Sequence, residues 1–327
     1  MKQNANYGAA IRLGFEHLLS SHPNVFVLGQ GLWSPWYVGT TMTDLDKKFG
    51  KARVIDTPVS ELACTGAAVG ASLCGYRPIV VHPRMDFMLY ATDAIINQAA
   101  KWSYMFGGQA HAAVTIRAII NRGGEQGAQH SQALHAWFAH VPGLRVVMPA
   151  TPQDARDLLI ASVLCDDPVL YVDDRWLYGE SEDLDPVEER DLRLEGPRVR
   201  RQGSDVTLVG CGYTTSVCER AAAQLAARGI SAEVIDLRVV NPFRAECILE
   251  SAAKTRRVLV VDGGWSTCGI AAEVLACLAE RMPPGALAKP PRRLTLAATP
   301  APSSAKLEKL YYPDEHAAAA AAADLME

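Results

Sequence analysis

The sequence predicts an α/β protein of two domains, each built on a largely parallel sheet with helices on both faces. Two observations predict this fold class. Short apolar runs that suit buried strands alternate along the chain with longer stretches of helical periodicity. The alternation is interrupted once, where mixed charges show no sustained period. We therefore expect a first domain over residues 1–175, an exposed linker over 176–202 and a smaller second domain over 203–327.

The first domain is expected to begin with a helix. Apolar residues recur at helical spacing from Tyr7 to Leu19, and Pro23 stops that helix. The run Val25–Leu28 is apolar at every position, as in a strand that is buried on both faces. The alternation then continues with these predicted elements: strand Arg53–Ile55, helix Leu62–Cys74, strand Pro78–Val81, helix Phe87–Phe106, strand Ala113–Ile120, a helix near Ser131–His140, strand Leu144–Met148, helix Pro152–Leu164 and strand Pro168–Val172.

The second domain repeats the pattern. Its predicted elements are strand Val206–Val209, helix Thr214–Arg228, strand Ala232–Ile235, helix Arg244–Ala253, strand Val258–Val261, helix Cys268–Arg281 and strand Arg293–Ala297. The tail from Ser303 is expected to be helical. Its alanine run, Ala317–Ala323, is expected to fray, because alanine favours helix but offers little surface to bury.

The composition is that of a globular chain and argues against several classes of protein. Hydrophobic residues make up 49% and charged residues 21%, and the net charge is −4, which predicts no general attraction to nucleic acid or membrane surfaces. No apolar run is long enough to span a membrane, and the first residues lack the apolar core of a signal peptide. Eight scattered cysteines without a C-x-x-C pair predict reduced thiols in a cytoplasmic protein.

A carboxylate stands at a predicted strand-to-helix turn. The stretch Asp56–Glu61 ends a short strand and opens a helix that is rich in alanine and glycine. Such small residues let a helix approach a sheet or a partner helix closely. Glu61 is then either an acid favoured at a helix start, with Ser60 as the cap, or a functional group at the sheet edge.

The loop Asn121–Gln132 is the second unusual stretch. It follows a predicted strand, at the edge of the sheet where open α/β folds bind ligands, and its glycines allow close approach of the backbone. If Ser131 caps the next helix, His130 lies at the positive end of that helix, which favours a neutral imidazole. The alternative is a surface loop without a chemical role.

Two other patterns are weak. The sequence Gly210–Gly212 follows a strand and precedes a helix, but Thr215 stands where a dinucleotide-binding fingerprint has its third glycine. His130, His135 and His140 are five residues apart, so on a helix they would point to different sides and form a poor metal site.

Several separate motifs, in this order, resemble one family: Asp56-Thr57-Pro58-Val59-Ser60-Glu61, Asp93 with Asn97-Gln98-Ala99-Ala100-Lys101, Tyr104-Met105 with Gly107-Gly108-Gln109, Gly127-Ala128-Gln129-His130-Ser131-Gln132, Trp137-Phe138-Ala139-His140-Val141-Pro142-Gly143-Leu144, Val234-Ile235-Asp236-Leu237-Arg238 and Leu307-Glu308-Lys309. The chain resembles, over nearly its whole length, the β subunit of thiamine-diphosphate-dependent 2-oxo acid dehydrogenase E1 components. These are the pyruvate and branched-chain enzymes of the transketolase-like group.

The resemblance implies a pyrimidine-binding domain followed by a smaller transketolase C-terminal-type domain. Glu61 matches the acid that hydrogen-bonds N1′ of the cofactor's aminopyrimidine and so favours its 4′-imino form. Phe87 matches the aromatic residue that packs on the pyrimidine, and Tyr90 lies one helical turn further on. An aromatic in this position also suits a plain core role. His130 matches an active-site histidine that contacts the substrate or the acyl acceptor.

The resemblance also implies a partner. The Gly-Asp-Gly motif that holds magnesium and pyrophosphate in this superfamily does not occur in the sequence. We therefore expect no metal ligands in this chain and a separate α subunit that binds Mg²⁺, in an α₂β₂ assembly with the cofactor between α and β. A lipoyl-bearing E2 protein and a small 2-oxo acid are the further expected partners.

The chain departs from the family pattern at the expected site. Gln30 and Val81 stand where the family usually has glutamate, and His82 and Arg84 bring basic residues close by. These departures motivate an alternative function, a carboligase that adds the activated fragment to an aldehyde or ketone. A non-catalytic subunit that only completes its partner's fold is the alternative from another class, and a NAD-dependent enzyme is the last.

A potassium site of the family also has counterparts here. Its ligands, largely backbone carbonyls, map to Val114, Ser162, Val163, Cys165 and Asp167. Because Cys165 stands where an acid is usual, potassium binding is not expected to be retained.

Overall fold

The structure is a computed structural model and describes residues 2–327. The chain divides into two compact units. The first comprises the chain up to Arg122 together with Phe138–Glu195, and the second comprises Gly123–Trp137 together with Gly196–Glu327. The glycine-rich loop, which the predicted boundaries place in the first domain, thus belongs to the second unit. Among the described helices, none combines the length and the apolar character that a membrane crossing requires.

The elements up to Leu184 are, in chain order, β1 (Gln3–Asn6), α1 (Tyr7–Ser21), β2 (Val25–Gly29), α2 (Leu45–Phe49), β3 (Val54–Asp56), α3 (Glu61–Leu73), β4 (Arg77–His82), α4 (Met85–Met88), α5 (Ala100–Met105), β5 (Thr115–Ile120), α6 (His135–Ala139), β6 (Arg145–Val147), α7 (Pro152–Leu164), β7 (Val169–Asp174) and β8 (Ser181–Leu184). Six strands of the first unit form a sheet in the order β6-β7-β5-β4-β2-β3, and every one of these pairs is parallel.

The core of the first unit lies on both faces of this sheet. All residues of β5 and β7 are buried, the charged side chains of Arg117, Asp173 and Asp174 included. On one face α1 packs against α7, and Gly14 allows the approach, since a Cβ there would lie 3.2 Å from Leu159. The buried charge of Arg117 on β5 is balanced by a bidentate pair with Asp173 on β7, at 3.0 and 2.7 Å.

The predicted long helix Phe87–Phe106 is wrong as a single element. After α4 the chain makes a 3₁₀ turn at Leu89–Ala91 and a π-helical stretch at Ala94–Ala99 before α5 begins. The backbone of Ala100, where α5 begins, packs closely on Gly143, since a Cβ on Gly143 would lie 1.9 Å from the carbonyl oxygen of Ala100. Apolar periodicity indicates that these residues are helical. It does not show whether each N–H bonds to the carbonyl three, four or five residues before it, which is what distinguishes 3₁₀, α- and π-helices.

The predicted linker 176–202 carries more structure than its mixed charges indicate. Strand β8 pairs with β1 in an antiparallel ribbon within the first unit. Strand β9 (Arg198–Arg201) pairs with a strand of the second unit. The segment therefore contributes edge strands to both units, and short edge strands with charged side chains have no strong apolar signal.

The elements from Arg198 onward are β9, β10 (Val206–Gly210), α8 (Tyr213–Ala226), β11 (Ala232–Asp236), β12 (Val239–Asn241), α9 (Glu246–Thr255), β13 (Val258–Trp265), α10 (Ile270–Arg281), β14 (Arg292–Leu296), α11 (Ala305–Tyr311) and α12 (Glu315–Ala323). The sheet of the second unit has the order β14-β13-β10-β11-β9, with only the β9–β11 pair antiparallel. Gly210 serves packing, because a Cβ there would lie 2.7 Å from the backbone of Thr215.

The alanine run does not fray. It forms α12, whose Ala318, Ala319, Ala322 and Ala323 are buried, and α12 packs against α8. Asp314 caps the helix by accepting a hydrogen bond from the N–H of Ala317 at 2.8 Å. The prediction failed because small side chains bury little surface individually but permit close contact between helices.

Candidate functional site

The carboxyl ends of β2, β3 and β4 meet at a small cleft in the first unit, at the edge of the sheet where parallel α/β folds bind ligands. The register places Gly29 opposite both Asp56 and Val81, so the three strands end at one level. A Cβ on Gly29 would lie 2.5 Å from the carbonyl oxygen of Val81, so this position requires glycine. The residues that line the cleft are Gly29, Gln30, Thr57, Pro58, Ser60, Glu61, Cys64, Val80, Val81, His82 and Pro83.

Glu61 is the first residue of α3, and its half-buried side chain lines this cleft. The strand before it is fixed by the carboxylate of Asp56, which accepts a hydrogen bond from the N–H of Leu32 at 3.0 Å. Ser60 occupies the N-cap position, but its side chain makes no capping hydrogen bond, so its expected capping role is wrong. The first turn of α3 therefore keeps N–H groups and a partial positive charge that favour an acidic group at this end.

His82 ends β4 and forms part of the wall of the cleft. Its Nε2 lies 3.2 Å from Oγ1 of Thr65, which is one helical turn after Glu61 on α3. The ring is 3% exposed. Burial lowers the pKa of His82 to about 4, because a protonated imidazole would lose its hydration. The sequence predicts a basic group near the site, whereas the folded chain holds an uncharged ring at neutral pH.

Arg84 follows two residues later and is partly buried. Its Nη1 donates to the carbonyl oxygen of Pro83 at 2.9 Å. Burial lowers the pKa of Arg84, but a guanidinium keeps its charge at any physiological pH. The guanidinium of Arg84 is therefore a permanent positive charge on the residue that follows Pro83, the last residue in sequence that lines the cleft.

Phe87 and Tyr90 lie beyond the cleft rather than in its lining. Phe87 belongs to α4 and is 38% exposed, and Tyr90 lies in the 3₁₀ turn and is 76% exposed. Helix α3 packs against that turn, so Tyr90 is on an element in contact with the helix of Glu61. Both side chains present ring surface on which a flat heterocycle can stack.

His130 belongs to the second unit and so to a different unit from Glu61, Phe87 and Tyr90. Its loop turns tightly, with left-handed backbone at residues 123–125 (φ 74°, 67° and 59°) and again at Gly127. The N–H of His130 donates to the carbonyl oxygen of Gly127 at 3.4 Å. The helix predicted to start at Ser131 begins only at His135, so Ser131 does not cap it, and His130 is not at a helix terminus.

Two acids hold the glycine-rich loop to α11 within the second unit. The N–H of Glu125 donates to Oε2 of Glu308 at 3.1 Å, and the N–H of Ala305 donates to Oε1 of Glu125 at 3.0 Å. Glu308 is 8% exposed. In the sequence Glu308 is recognisable only as part of a matched motif, because its contact with a residue 183 positions away leaves no local signal.

His135 is a buried structural residue that sequence reasoning did not identify. Its Nε2 lies 3.1 Å from Oδ1 of Asp262, and both side chains are 1% exposed. Burial alone would raise the pKa of Asp262, but the hydrogen bond and charge of His135, with two backbone N–H donors, hold it below its usual value. The pair fixes the chain that follows His130 to β13.

Three of the carbonyl oxygens expected to bind potassium, those of Val114, Val163 and Cys165, accept hydrogen bonds within the chain. Nη1 of Arg77 donates to the carbonyl oxygens of Val163 and Cys165 at 3.0 and 2.9 Å. The carboxylate of Asp167 accepts from Nε of Arg145 at 2.7 Å. Arginine side chains thus contact the carbonyls of Val163 and Cys165 and the carboxylate of Asp167, which a potassium ion would have to share or displace.

The donor set of the cleft does not suit Mg²⁺, which prefers several oxygen ligands. Glu61 is the one acid among the residues that line the cleft. Within residues 2–327, one group of three His, Cys, Asp or Glu side chains converges closely enough to hold a metal ion, and it includes His22. His22 lies just before the amino end of β2, so this group is at the edge of the sheet opposite the cleft. The lining of the cleft thus offers a metal ion a single carboxylate, that of Glu61.

The chain matches the family of the transketolase pyrimidine binding domain over residues 3–179 and that of the transketolase C-terminal domain over residues 196–317. It is 38% identical over 338 residues to the acetoin:2,6-dichlorophenolindophenol oxidoreductase subunit β of Cupriavidus necator, covering 100% of this chain and 99% of that one. The subunit of the same name from Bacillus subtilis is 39% identical over 271 residues, which cover 82% of this chain and 78% of the relative. The mitochondrial pyruvate dehydrogenase E1 component subunit β-1 of Arabidopsis thaliana is 36% identical over 310 residues, 93% of this chain and 84% of the relative.

Among solved structures, one titled a split gene transketolase, inactive β4 tetramer, superposes with a TM-score of 0.77 and 23% identity, covering 98% of each chain. That similarity establishes the fold alone. The two matched domain families and the sequence relatives establish the family as well as the fold. The chain belongs to the transketolase-like family of β subunits that includes those of pyruvate dehydrogenase E1 components and acetoin oxidoreductases.

Proposed function

We propose that this chain is the β subunit of a thiamine-diphosphate-dependent E1-type enzyme. The enzyme would decarboxylate a small 2-oxo acid and transfer the acyl group to a lipoyl group, with this chain active only beside an α-type subunit. The observation that carries the proposal is Glu61 at the first turn of α3, in a cleft where three parallel strands end. The kinship with pyruvate dehydrogenase E1 β subunits supports the reaction class.

Thiamine diphosphate, when bound, would supply an electron sink for breaking the bond beside the substrate's carbonyl group. Glu61 would hold a proton at N1′ of the pyrimidine, a task that needs a carboxyl group at the wall of a partly apolar cleft. Phe87 and Tyr90 would offer exposed rings against the heterocycle. His82 would present a neutral ring to the cleft, and His130 would donate or accept a hydrogen bond at the substrate or the acyl acceptor.

A partner chain would complete the site. One face of α3 is exposed although its residues are apolar or lack a side chain: Leu62, Ala63, Gly66, Ala67 and Gly70. A Cβ on Gly66 or Gly70 would meet nothing within 4 Å. Glycine inside a helix costs about 0.5–1 kcal/mol relative to alanine, so its presence at open positions supports close approach by a second chain. We infer an α-type subunit there that also brings the Mg²⁺ ligands, in an α₂β₂ assembly.

A second substrate class has a specific observation in its favour. The relatives in Cupriavidus necator and Bacillus subtilis carry acetoin in their names, and the first aligns over the whole chain. Acetoin is a neutral hydroxyketone, and the cleft wall is apolar at Val81 and uncharged at His82. The fixed charge of Arg84 favours instead the carboxylate of a 2-oxo acid. We therefore rank the 2-oxo acid first and acetoin second.

The test is an assay of the chain reconstituted with an α-type subunit that carries Gly-Asp-Gly. The 2-oxo acids and acetoin are compared, each with a lipoyl-bearing E2 domain or with an artificial electron acceptor. We expect Glu61→Gln to lower kcat by about 10²-fold or more, because the proton at the pyrimidine is lost. Glu273→Gln is the matched control, since Glu273 is an exposed acid in the first turn of α10 and should leave kcat unchanged.

Two rival functions, the structural subunit and the carboligase, each have their own outcome in this assay. Unchanged activity of Glu61→Gln in the assembled enzyme would leave only a structural subunit. Carbon–carbon bond formation with an aldehyde, in the absence of a lipoyl acceptor, would favour the carboligase. Turnover that requires the lipoyl domain would exclude it. For the compartment, we retain the cytoplasm on the strength of eight free cysteines.

A further inference from the structure

Three potential metal ligands converge at the end of α1, away from the cleft. Nε2 of His17 and Nε2 of His22 each lie 2.8 Å from Oε1 of Glu189. His17 is on α1, His22 is the residue that follows its last turn, and Glu189 lies between β8 and the 3₁₀ turn Leu192–Leu194. The three ligand atoms all lie within 4.8 Å of one another.

The arrangement does more than pair one histidine with one acid. Two imidazoles direct the same nitrogen to a single carboxylate oxygen, and their rings lie 6.2 Å apart at 66°. Oε1 of Glu189 thus takes both contacts, at 2.8 Å each. A surface hydrogen bond of this kind contributes little stability by itself, and it leaves the convergence of two rings unexplained.

The donor set and the spacing suit a first-row transition ion. Two histidines with one carboxylate and an open position form a common zinc site, with Zn–N and Zn–O distances near 2.0–2.2 Å. Tetrahedral donors at those distances are about 3.3 Å apart, so the pairs at 2.8 Å must open by about 0.5 Å. The side chains are 25%, 25% and 42% exposed, which leaves them room to move and gives a fourth ligand, water, access. Mg²⁺ and Ca²⁺ are disfavoured because they prefer oxygen ligands only.

We propose that His17, His22 and Glu189 bind one zinc-class divalent ion, with water as the fourth ligand, and that this ion stabilises the first unit. The ion would tie the segment after β8 to the end of α1. Because Glu189 is 167 positions from His22, the unfolded chain does not preform the site, and binding stabilises the fold.

The experiment is a calorimetric titration of Zn²⁺ into the metal-stripped full-length chain, with Mg²⁺ as the comparison ion. We expect uptake of about one equivalent of Zn²⁺, no uptake of Mg²⁺ and a Tm that rises by a few degrees with zinc. Glu189→Gln and the double variant H17N/H22N should each lose both the uptake and the Tm increase. The control is H111N/H316N, which removes two exposed histidines elsewhere and should bind zinc as the wild type does.

Cobalt provides a second readout that does not depend on stability. Co²⁺ at this site should give a spectrum of nitrogen and oxygen ligands without a thiolate charge-transfer band. Zinc uptake that persists in both Glu189→Gln and H17N/H22N, or a thiolate band that assigns the metal to a cysteine, would overturn the proposal. If the wild-type chain takes up no zinc, the three side chains form only hydrogen bonds with one another, and the proposal is equally overturned.

Discussion

Burial keeps the His82 ring uncharged, and this makes the stability of the first unit depend on pH. The pKa of His82 is about 4 in the folded chain and about 6.5 in the unfolded chain. Above pH 6.5 the ring is neutral in both states and contributes nothing. Between pH 6.5 and 4 only the unfolded chain takes up the proton, so the free energy of unfolding falls as the pH falls. The full loss, below pH 4, is about 3 kcal/mol.

His82→Asn should remove this part of the pH dependence, because an amide can replace the hydrogen bond to Thr65 but does not titrate. We expect the variant's unfolding free energy to change less than that of the wild type between pH 7 and 4, in urea unfolding series. His111→Asn, at an exposed histidine, should follow the wild-type curve. Parallel curves for His82→Asn and wild type would show that the buried ring is not the group responsible.

Single residues also show what a sequence can and cannot predict about the site. The position of Glu61 was predictable, because a strand, a turn and a helix start can each be recognised locally. The neutrality of His82 was not, since it depends on burial beneath α3 rather than on neighbours in sequence. The roles of Glu308 and Asp262 were likewise hidden, because each acts on a segment far away in the chain.

At the scale of elements, the glycine-rich loop depends on a contact with α11. Four of its residues have left-handed backbone, and Glu308 accepts the N–H of Glu125, the only one of the four that is not glycine. Glu308→Ala should cost about 1 kcal/mol, because the N–H of Glu125 loses a charged acceptor in a partly buried contact, and should lower kcat through a displaced His130. Hydrogen exchange of residues 123–130 should become faster, measured by mass spectrometry.

The matched variants separate the contact from a general effect on α11. Glu308→Gln keeps an acceptor oxygen and should recover most of the exchange protection and activity. Lys309→Ala changes the exposed neighbour and should alter neither. Protection of the loop that survives in Glu308→Ala would mean that the glycine turns alone determine its conformation.

The sequence predicts the positions of helices and strands better than it predicts the contacts of single residues. Helix α7 has the predicted bounds, and the predicted strands fall within a few residues of the observed ones. Apolar periodicity records burial against the same sheet over many residues, which explains this agreement. Periodicity did not reveal that the backbone of Ala94–Ala99 is π-helical. At Ser131, a residue type common at helix N-caps is followed by a loop, and the helix begins only at His135.

For the molecule as a whole, the open face of α3 predicts that assembly and folding respond differently to the same substitution. Gly66→Leu adds a side chain where nothing lies within 4 Å, and leucine favours helix more than glycine does. The isolated chain should therefore be as stable as the wild type or slightly more so. Assembly with an α-type subunit should weaken at least tenfold, because the added side chain holds the two backbones apart.

Sedimentation of the chain mixed with its α-type partner measures that assembly, and thermal unfolding of the chain alone measures folding. Ala223→Leu adds similar bulk to an exposed position of α8 and should leave both unchanged. Gly66→Ala should weaken assembly less than Gly66→Leu, since one methyl group separates the backbones less. If Gly66→Leu assembles fully, the exposed glycines of α3 do not face a partner, and the missing half of the site must approach the cleft from another side.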